Sequence, residues 1–178
     1  MSVIFLTGVH GVGKGFIGVP VAQSLGVSHF TASQLIREEK GQSTWGVDKK
    51  TSDLDDNQLA LIRAVGQRRL THTSILLDGH FVLRNAQGVL TPLATAVFKE
   101  LHLTGVILLT EESSIIASRL AMRDKGTPDV YAISELAEAE SAHAQAVCSE
   151  LEIPLNVIHA PSLESLTNAV KRLLSTEI

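Results

Sequence analysis

Short apolar runs alternate with longer segments of helical spacing along the whole chain. The apolar runs predict five strands, at residues 3–7, 28–32, 74–79, 105–110 and 155–160. The intervening and following segments predict six helices, at residues 14–25, 33–40, 53–70, 112–123, 130–152 and 163–174. Strands that alternate with helices predict an α/β domain in which helical crossovers connect the strands of a parallel sheet.

A few residues with special backbone preferences refine this pattern. Gly26 is expected to end the first helix, and Pro20 inside that helix predicts a kink or a short first segment. Ser33 is a candidate N-cap of the second helix. The polar, glycine-containing stretch 41–52 predicts a loop.

Length and composition indicate a single globular domain. The chain has 178 residues, of which 44% are hydrophobic and 19% are charged, so it can bury a substantial core. The formal net charge is −4 and no block of Lys or Arg occurs, which argues against a non-specific nucleic-acid partner. No stretch approaches the roughly 20 apolar residues that would span a membrane. The first apolar run lacks a basic segment before it and is interpreted as a strand, not a signal peptide.

The chain contains one cysteine, Cys148. An intrachain disulfide is therefore excluded, and a reducing cytoplasm is the expected compartment. Because Cys148 lies in a segment of helical spacing, we expect it to be a small core residue.

A glycine-rich loop connects the first strand to the first helix. Gly8, Gly13 and Lys14 form G-x-x-x-x-G-K, and Gly11 is an additional glycine between them. Such glycines let successive backbone N–H groups converge on phosphate, and the helix N-terminus adds positive potential. The loop predicts an ATP site whose contacting residues are Gly8, His10, Gly11, Val12, Gly13, Lys14, Gly15 and Phe16.

The usual magnesium-binding hydroxyl is missing from this loop. A Ser or Thr commonly follows the lysine and ligates Mg²⁺, whereas this chain has Gly15 and then Phe16. Because Mg²⁺ keeps several waters and leans on substrate phosphates, the expected consequence is weaker metal binding without its complete loss.

A second candidate cluster follows the strand at 74–79. Asp78 ends a buried apolar run, and Gly79 and His80 come directly after it. Ligands of open α/β sheets bind at the carboxyl ends of strands. Asp78 is therefore predicted either to hold a Mg²⁺-bound water or to accept a substrate proton, with His80 polarising a phosphate or orienting the acid.

The order of these motifs resembles the nucleoside monophosphate kinases, most closely the small archaeal-type adenylate kinases. The segments that carry the resemblance, in family order over nearly the whole chain, are "GVHGVGKG", "TASQLIREEK", "DDNQ", "LLDGHFVLRNAQGVL" and "VILLTEESSIIASRLAMRD". The resemblance implies a P-loop NTPase fold, with three α/β/α layers and a five-stranded parallel sheet. It also implies a monophosphate-binding insert at about 31–70 and a short lid at about 119–130.

The resemblance also implies roles for individual side chains. Arg119 and Arg123, four residues apart on one helix face, are expected to stabilise the moving phosphoryl group. The acceptor site is expected to use Thr31, Ser33, Arg37, Gln58 and His80. The chain departs from the family at Gly15 and Phe16 and in "DKGTPD", where relatives carry further lid arginines.

Together these features predict a cytoplasmic kinase that uses ATP and Mg²⁺ to phosphorylate a nucleoside monophosphate. Its partners are expected to be small-molecule nucleotides, without nucleic acid or membrane, and the chain is expected to be a monomer or homodimer. Two alternatives remain open at this point. One is a kinase for a small alcohol, of the shikimate or gluconate kinase type, with a carboxylate-reading arginine in its acceptor pocket. The other is a nucleotide-binding ATPase or sensor that has lost phosphotransfer.

Overall fold

A computed structural model describes residues 1–41, 54–85, 87–124 and 126–175 of the chain. Its strands are β1 (Ser2–Thr7), β2 (Ser28–Thr31), β3 (Ser74–Asp78), β4 (Val82–Arg84), β5 (Leu90–Pro92), β6 (Gly105–Thr110) and β7 (Leu155–His159). The described residues also form seven helices: α1 (Lys14–Leu25), α2 (Ala32–Glu39), α3 (Leu54–Arg69), α4 (Thr95–Glu100), α5 (Ser113–Asp124), α6 (Val130–Glu150) and α7 (Leu163–Ser175).

Five strands form one parallel sheet in the order β2-β3-β1-β6-β7. This confirms the predicted P-loop NTPase fold with a five-stranded parallel sheet between helices. The central strand β1 is buried along its whole length, as expected for a strand that is covered on both faces.

Side chains of β1 alternate between two apolar clusters, one on each face of the sheet. Val3 and Phe5 belong to the cluster that includes residues of α3, α4 and α6, whereas Ile4 and Leu6 belong to the cluster with residues of α1 and α7. Cys148 is buried in the first of these clusters, which confirms its predicted place in the core.

Helix boundaries follow the sequence signals closely, with two differences. Gly26 ends α1, as predicted, and adopts the left-handed conformation. The helix continues from Lys14 to Leu25 with Pro20 inside it, which excludes the short first segment, and the alternative of a kink stays a prediction. The N-cap of α2 is Thr31 and not Ser33: β2 ends at Thr31, and the Thr31 hydroxyl accepts a hydrogen bond from the Gln34 N–H at 3.2 Å. The Ser33 hydroxyl lies 3.3 Å from that of Thr31.

Three elements are present that the sequence pattern did not reveal. The strands β4 and β5 form a short antiparallel hairpin, and α4 follows it. Their lengths of three, three and six residues are too short for a period of hydrophobicity to emerge. The hairpin turn is held by the Asn85 side chain, which accepts hydrogen bonds from the Gln87 and Val89 N–H groups at 3.0 and 2.9 Å.

The predicted loop at 41–52 lies outside the described residues apart from Gly41. The boundaries of the predicted insert and lid stay predictions; within them α5 continues to Asp124 and α6 begins at Val130. None of the described helices combines the length and the apolar character that crossing a membrane requires.

Candidate active site

The glycine-rich loop occupies the carboxyl end of β1 and leads directly into α1. Three of its glycines have positive φ angles, 138° at Gly8, 85° at Gly11 and 109° at Gly13. A side chain at Gly8 would bring a Cβ atom within 2.5 Å of the Leu109 carbonyl oxygen, so this position requires glycine. The first turn of α1 leaves its N–H groups without partners inside the helix, which makes this end suited to an anion.

Lys14 is held beneath the loop by three polar neighbours. The side chain is 7% exposed, and its ammonium group donates a hydrogen bond to the Gly8 carbonyl oxygen. The Lys14 Nζ atom also lies 3.8 Å from Asp78 Oδ1 and 3.5 Å from His80 Nε2. Burial lowers the pKa of Lys14, and the neighbouring Asp78 carboxylate opposes that shift. These contacts hold the lysine at the loop.

Asp78 ends β3 beside β1, so it reaches the same sheet edge as the loop. Burial raises the pKa of the Asp78 carboxyl group, while the Lys14 charge and hydrogen bond counteract the increase. Gly79 follows at a point where a Cβ atom would lie 2.6 Å from the Phe5 ring, so the chain passes close to the core here. The result is a largely buried carboxyl group with the Lys14 ammonium group beside it.

Two histidine rings lie near Lys14 and Asp78. The rings of His10 and His80 lie with centroids 4.6 Å apart. Burial, together with the charges of Lys14 and His10, lowers the pKa of His80 to about 2, so its ring is neutral near pH 7. Desolvation and the charges of Lys14 and Arg123 also lower the pKa of His10. A neutral His80 can accept a hydrogen bond from Lys14.

Glu140 of α6 is a buried acidic residue that the sequence interpretation missed. Its carboxyl group, 1% exposed, accepts hydrogen bonds from the Phe81 N–H at 2.9 Å and the Val82 N–H at 2.7 Å. It also accepts one from the Thr7 hydroxyl, and it lies 3.8 Å from His80 Nδ1. The carboxyl group thus connects the end of β1 to the start of β4.

A signal for Glu140 was available in the sequence. Glu140 lies four residues before Ala144, which is buried, and four after Leu136, which packs against the core. A glutamate within the apolar stripe of a helix requires buried hydrogen-bond donors around it. Its spacing therefore indicated a buried polar network but not which donors would form it.

Both arginines of α5 lie beside the loop. Arg119 donates hydrogen bonds to the Val12 carbonyl oxygen at 3.3 Å and to the Glu111 carboxylate at 3.1 Å. Arg123 pairs with the neighbouring Asp124 at 2.7 Å, and both arginines line the cavity described below. Their predicted role near a phosphoryl group is compatible with this placement and stays a prediction.

A cavity of about 940 Å³ runs from the glycine-rich loop across Asp78 to the helices on one face of the sheet. We call its two parts the loop end and the helical end. The loop end contains the chain from His10 to Phe16, with Arg119, Arg123 and Leu163. The helical end contains residues of α2, α3, β4 and α4 with the segment between β5 and α4: Ile36, Asn57, Gln58, Leu61, Leu83, Leu93, Val97, Phe98 and Leu101. Asp78, His80 and Phe5 lie between the two ends.

The remaining candidate residues divide into two groups. Thr31, Ser33 and Gln58 line the cavity, whereas Arg37, which is half-buried, is not among its lining residues. Phe16 lines the cavity with 87% of its side-chain surface exposed. Within the part of the chain that the structure describes, no group of three or more His, Cys, Asp and Glu side chains is arranged to hold a metal ion.

Comparison with known proteins places this geometry in context. A family model described as an AAA domain matches residues 7–136. No curated protein matches the chain in sequence.

Solved structures of similar fold include three small-molecule kinases. A gluconokinase from Sinorhizobium meliloti is 14% identical, with 98% of this chain and 92% of that chain covered and a TM-score of 0.57. A shikimate kinase from Aquifex aeolicus is 13% identical, with coverages of 98% and 96% and a TM-score of 0.59. A shikimate kinase from Acinetobacter baumannii, solved with shikimate, is 16% identical, with coverages of 100% and 96% and a TM-score of 0.61. At these identities the likeness concerns the fold.

Proposed function

This chain belongs to the AAA domain family, and we propose that it is an ATP-dependent kinase acting on a hydroxyl group of a small molecule. The observation that carries the proposal is the pair formed by Asp78 and Lys14, 3.8 Å apart, in the middle of the cavity. The lysine belongs to the loop end, where phosphate is expected, and Asp78 lines the same cavity. A hydroxyl group next to Asp78 would therefore meet both a proton acceptor and the phosphoryl donor.

Two observations support a small alcohol over a nucleoside monophosphate as the acceptor. The similar structures named above are a gluconokinase and shikimate kinases, whose names designate small hydroxy acids as substrates. In addition, Arg37, which was expected to hold an acceptor phosphate, does not line the cavity. The adenylate-kinase-like prediction is therefore the weaker alternative, and it is tested in the same assay.

The proposed reaction assigns one task to each group of residues. Loop amides and Lys14 bind the β- and γ-phosphates of ATP, and Arg119 and Arg123 neutralise charge on the moving group. The acceptor oxygen forms a bond to the γ-phosphorus while the bond from that phosphorus to the ADP oxygen breaks. The acceptor proton passes to the Asp78 carboxylate. The raised pKa of Asp78 makes it a stronger base than an ordinary aspartate once it is ionised.

Magnesium fits this site only with few protein ligands. When bound, Mg²⁺ would neutralise phosphate charge, and Asp78 is the residue that would hold it, through water. Gly15 supplies no hydroxyl at the position after the lysine. Binding through the phosphates of ATP and through water therefore accounts best for the residues present.

A product analysis tests the proposal. The protein is incubated with ATP and Mg²⁺ against gluconate, shikimate, a panel of neutral alcohols and the common nucleoside monophosphates, with a reaction lacking acceptor as control. We expect ADP and a phosphorylated alcohol in equal amounts. Formation of a nucleoside diphosphate would support the nucleotide kinase instead, and ADP with free phosphate in every reaction would indicate an ATPase. Location in the cytoplasm and a monomeric or homodimeric state stay predictions.

A further inference from the structure

We infer that the acceptor is an uncharged alcohol with an apolar body, and not a hydroxy acid or a phosphate ester. This inference rests on the proposed transfer to a hydroxyl group and names the chemical class of the acceptor. It comes from the composition of the helical end of the cavity.

Apolar side chains form most of the walls of the helical end. Leu61 of α3, Leu83 of β4 and Leu93, between β5 and α4, line it together with Val97 and Phe98 of α4. Of these, Leu61, Val97 and Phe98 are at most 6% exposed, so the walls belong to the packed core. An apolar ligand in this space would exclude water from its own surface and from that of the cavity.

The positive charges that line the described part of the cavity belong to the loop end, and each already has partners. Lys14 contacts the Gly8 carbonyl and Asp78, while Arg119 contacts Val12 and Glu111. Arg123 is paired with its neighbour Asp124. Because the loop end is where the donor phosphates are expected, these cations are assigned to the donor and not to an acid on the acceptor.

The polar groups of the helical end are neutral. Among the described lining residues they are the amides of Asn57 and Gln58 and, nearer the sheet, the hydroxyls of Thr31 and Ser33. Lys40 donates a hydrogen bond to Asn57 Oδ1 at 2.6 Å but does not itself line the cavity. Amides and hydroxyls orient neutral hydrogen-bonding groups without favouring a charge.

An acceptor anion would meet two unfavourable conditions in this end. Its charge would lose water against the leucine and phenylalanine side chains, without a described cation to replace the solvent. The Asp78 carboxylate would repel it, because the reacting hydroxyl must lie beside that group. A neutral alcohol avoids both penalties and places its only strongly polar group at Asp78.

A matched pair of small alcohols tests the inference without ATP. The compounds 1-phenylethanol and mandelate share a phenyl ring and a secondary hydroxyl, and differ by a methyl group in place of a carboxylate. Binding of each to the whole chain is measured by ligand-observed NMR titration. We expect 1-phenylethanol to bind at least tenfold more tightly than mandelate. Equal or tighter binding of mandelate, or no binding of 1-phenylethanol, overturns the inference.

Two arginine variants in the same hairpin localise the effect. Leu83→Arg introduces a cation at the helical end. We expect this variant to bind 1-phenylethanol more weakly than the wild type does and to bind mandelate at least fivefold more tightly. Val89→Arg is the control, because Val89 is 57% exposed and does not line the cavity; we expect both affinities to stay unchanged. Parallel responses of the two variants would place the binding elsewhere and overturn the inference. If Leu83→Arg does not fold, the affinities of the wild-type protein for 1-phenylethanol and mandelate decide the test alone.

Failure of the inference and failure of the proposed function have different signatures. Suppose that the protein binds 1-phenylethanol more tightly than mandelate but phosphorylates no alcohol. That result would contradict the proposed kinase activity and would leave the inferred preference of the helical end for a neutral ligand standing. Phosphorylation of gluconate or shikimate with a preference for mandelate would support the kinase and overturn the uncharged acceptor.

Discussion

The loop end and the helical end of the cavity recognise their ligands by different means. The loop end offers backbone amides, a buried lysine and two arginines within one short segment of chain and one neighbouring helix. The helical end offers leucine, valine and phenylalanine side chains from four separate elements, with a few neutral amides and hydroxyls. The loop end is therefore suited to a negatively charged ligand, and the helical end to an apolar one.

In the proposed reaction, binding of the donor and binding of the acceptor depend on different parts of the structure. Backbone geometry at the loop end follows from glycines whose positive φ angles few other residues adopt, so it tolerates little change. Shape at the helical end depends on side chains that can be exchanged at the cost of packing alone. Donor binding is therefore expected to be sensitive to charge, and acceptor binding to volume.

Removal of the Lys14 ammonium group is expected to have the largest effect on phosphoryl transfer. Lys14→Met keeps an unbranched, buried stem but loses the charge beside the loop. We expect transfer to fall about 100- to 1,000-fold, since a donor directed at the developing phosphoryl charge is lost. The measurement is ADP formation with the acceptor found in the product analysis. Lys99→Met, an exposed position on α4, is the control and should keep full activity.

A different outcome would be informative for Lys14 in particular. Full transfer by Lys14→Met would show that the Lys14 ammonium group takes no part in the reaction and would contradict its assignment to the donor phosphates. Unchanged binding of 1-phenylethanol in the same variant would show that the helical end is independent of the lysine.

Glu140 holds the chain that follows Asp78 and His80, and its removal is the next largest expected effect. Glu140→Ala leaves the Phe81 and Val82 N–H groups buried without the carboxylate that accepts from them, whereas the Thr7 hydroxyl keeps the Gly79 carbonyl oxygen at 3.3 Å. We expect the free energy of unfolding to decrease by about 3 kcal/mol, measured by denaturant titration. Glu138→Ala, two residues away and exposed, should change it by less than about 0.5 kcal/mol. Equal losses in the two variants would contradict the assigned network.

The loop end could be predicted from the sequence because its residues are contiguous. An apolar strand, the spacing of Gly8, Gly13 and Lys14, and a following helix are local signals, and each constrains the others. Asp78 was also within reach, since the carboxyl ends of neighbouring parallel strands meet at one edge. The sheet itself followed from five apolar runs separated by helical spacing.

The helical end could not be predicted in the same way because its residues meet only through tertiary packing. Leu83 lies in a three-residue strand of the hairpin, Leu93 follows the hairpin, and Val97 lies on a six-residue helix. Elements of this length show no clear periodicity. The family resemblance drew attention to Arg37 instead, and the arrangement of α2 relative to the cavity was not contained in any single segment.

Acid should destabilise the protein through His80, which lies between the two ends. Its pKa is about 2 in the folded state and near 6.5 when unfolded, so below pH 6.5 the unfolded chain binds the extra proton. The stabilisation is fully present above that pH and is lost as the pH falls. Between pH 7 and pH 5 we expect His80 to contribute a loss of about 2 kcal/mol, and His80→Asn should remove that part of the loss.

The control for this titration is His102→Asn. His102 is exposed, and asparagine tolerates the positive φ of 51° at that position. Denaturant unfolding at each pH gives the comparison. If wild type and His80→Asn lose the same stability on acidification, the His80 ring is not held neutral by its surroundings and the network assigned around it is incorrect.

Restoring the missing hydroxyl is the smallest and sharpest change at the loop end. A Cβ atom at Gly15 meets no heavy atom within 4 Å, so Gly15→Ser fits without displacing a neighbour. We expect the Mg²⁺ concentration for half-maximal transfer to fall about fivefold, the equivalent of one added ligand interaction of about 1 kcal/mol. Gly15→Ala supplies the same Cβ without oxygen and should leave the Mg²⁺ dependence unchanged. Because neither variant touches the helical end, the preference for a neutral alcohol should be the same in both, and a shift in that preference would mean that the two ends are coupled through the loop.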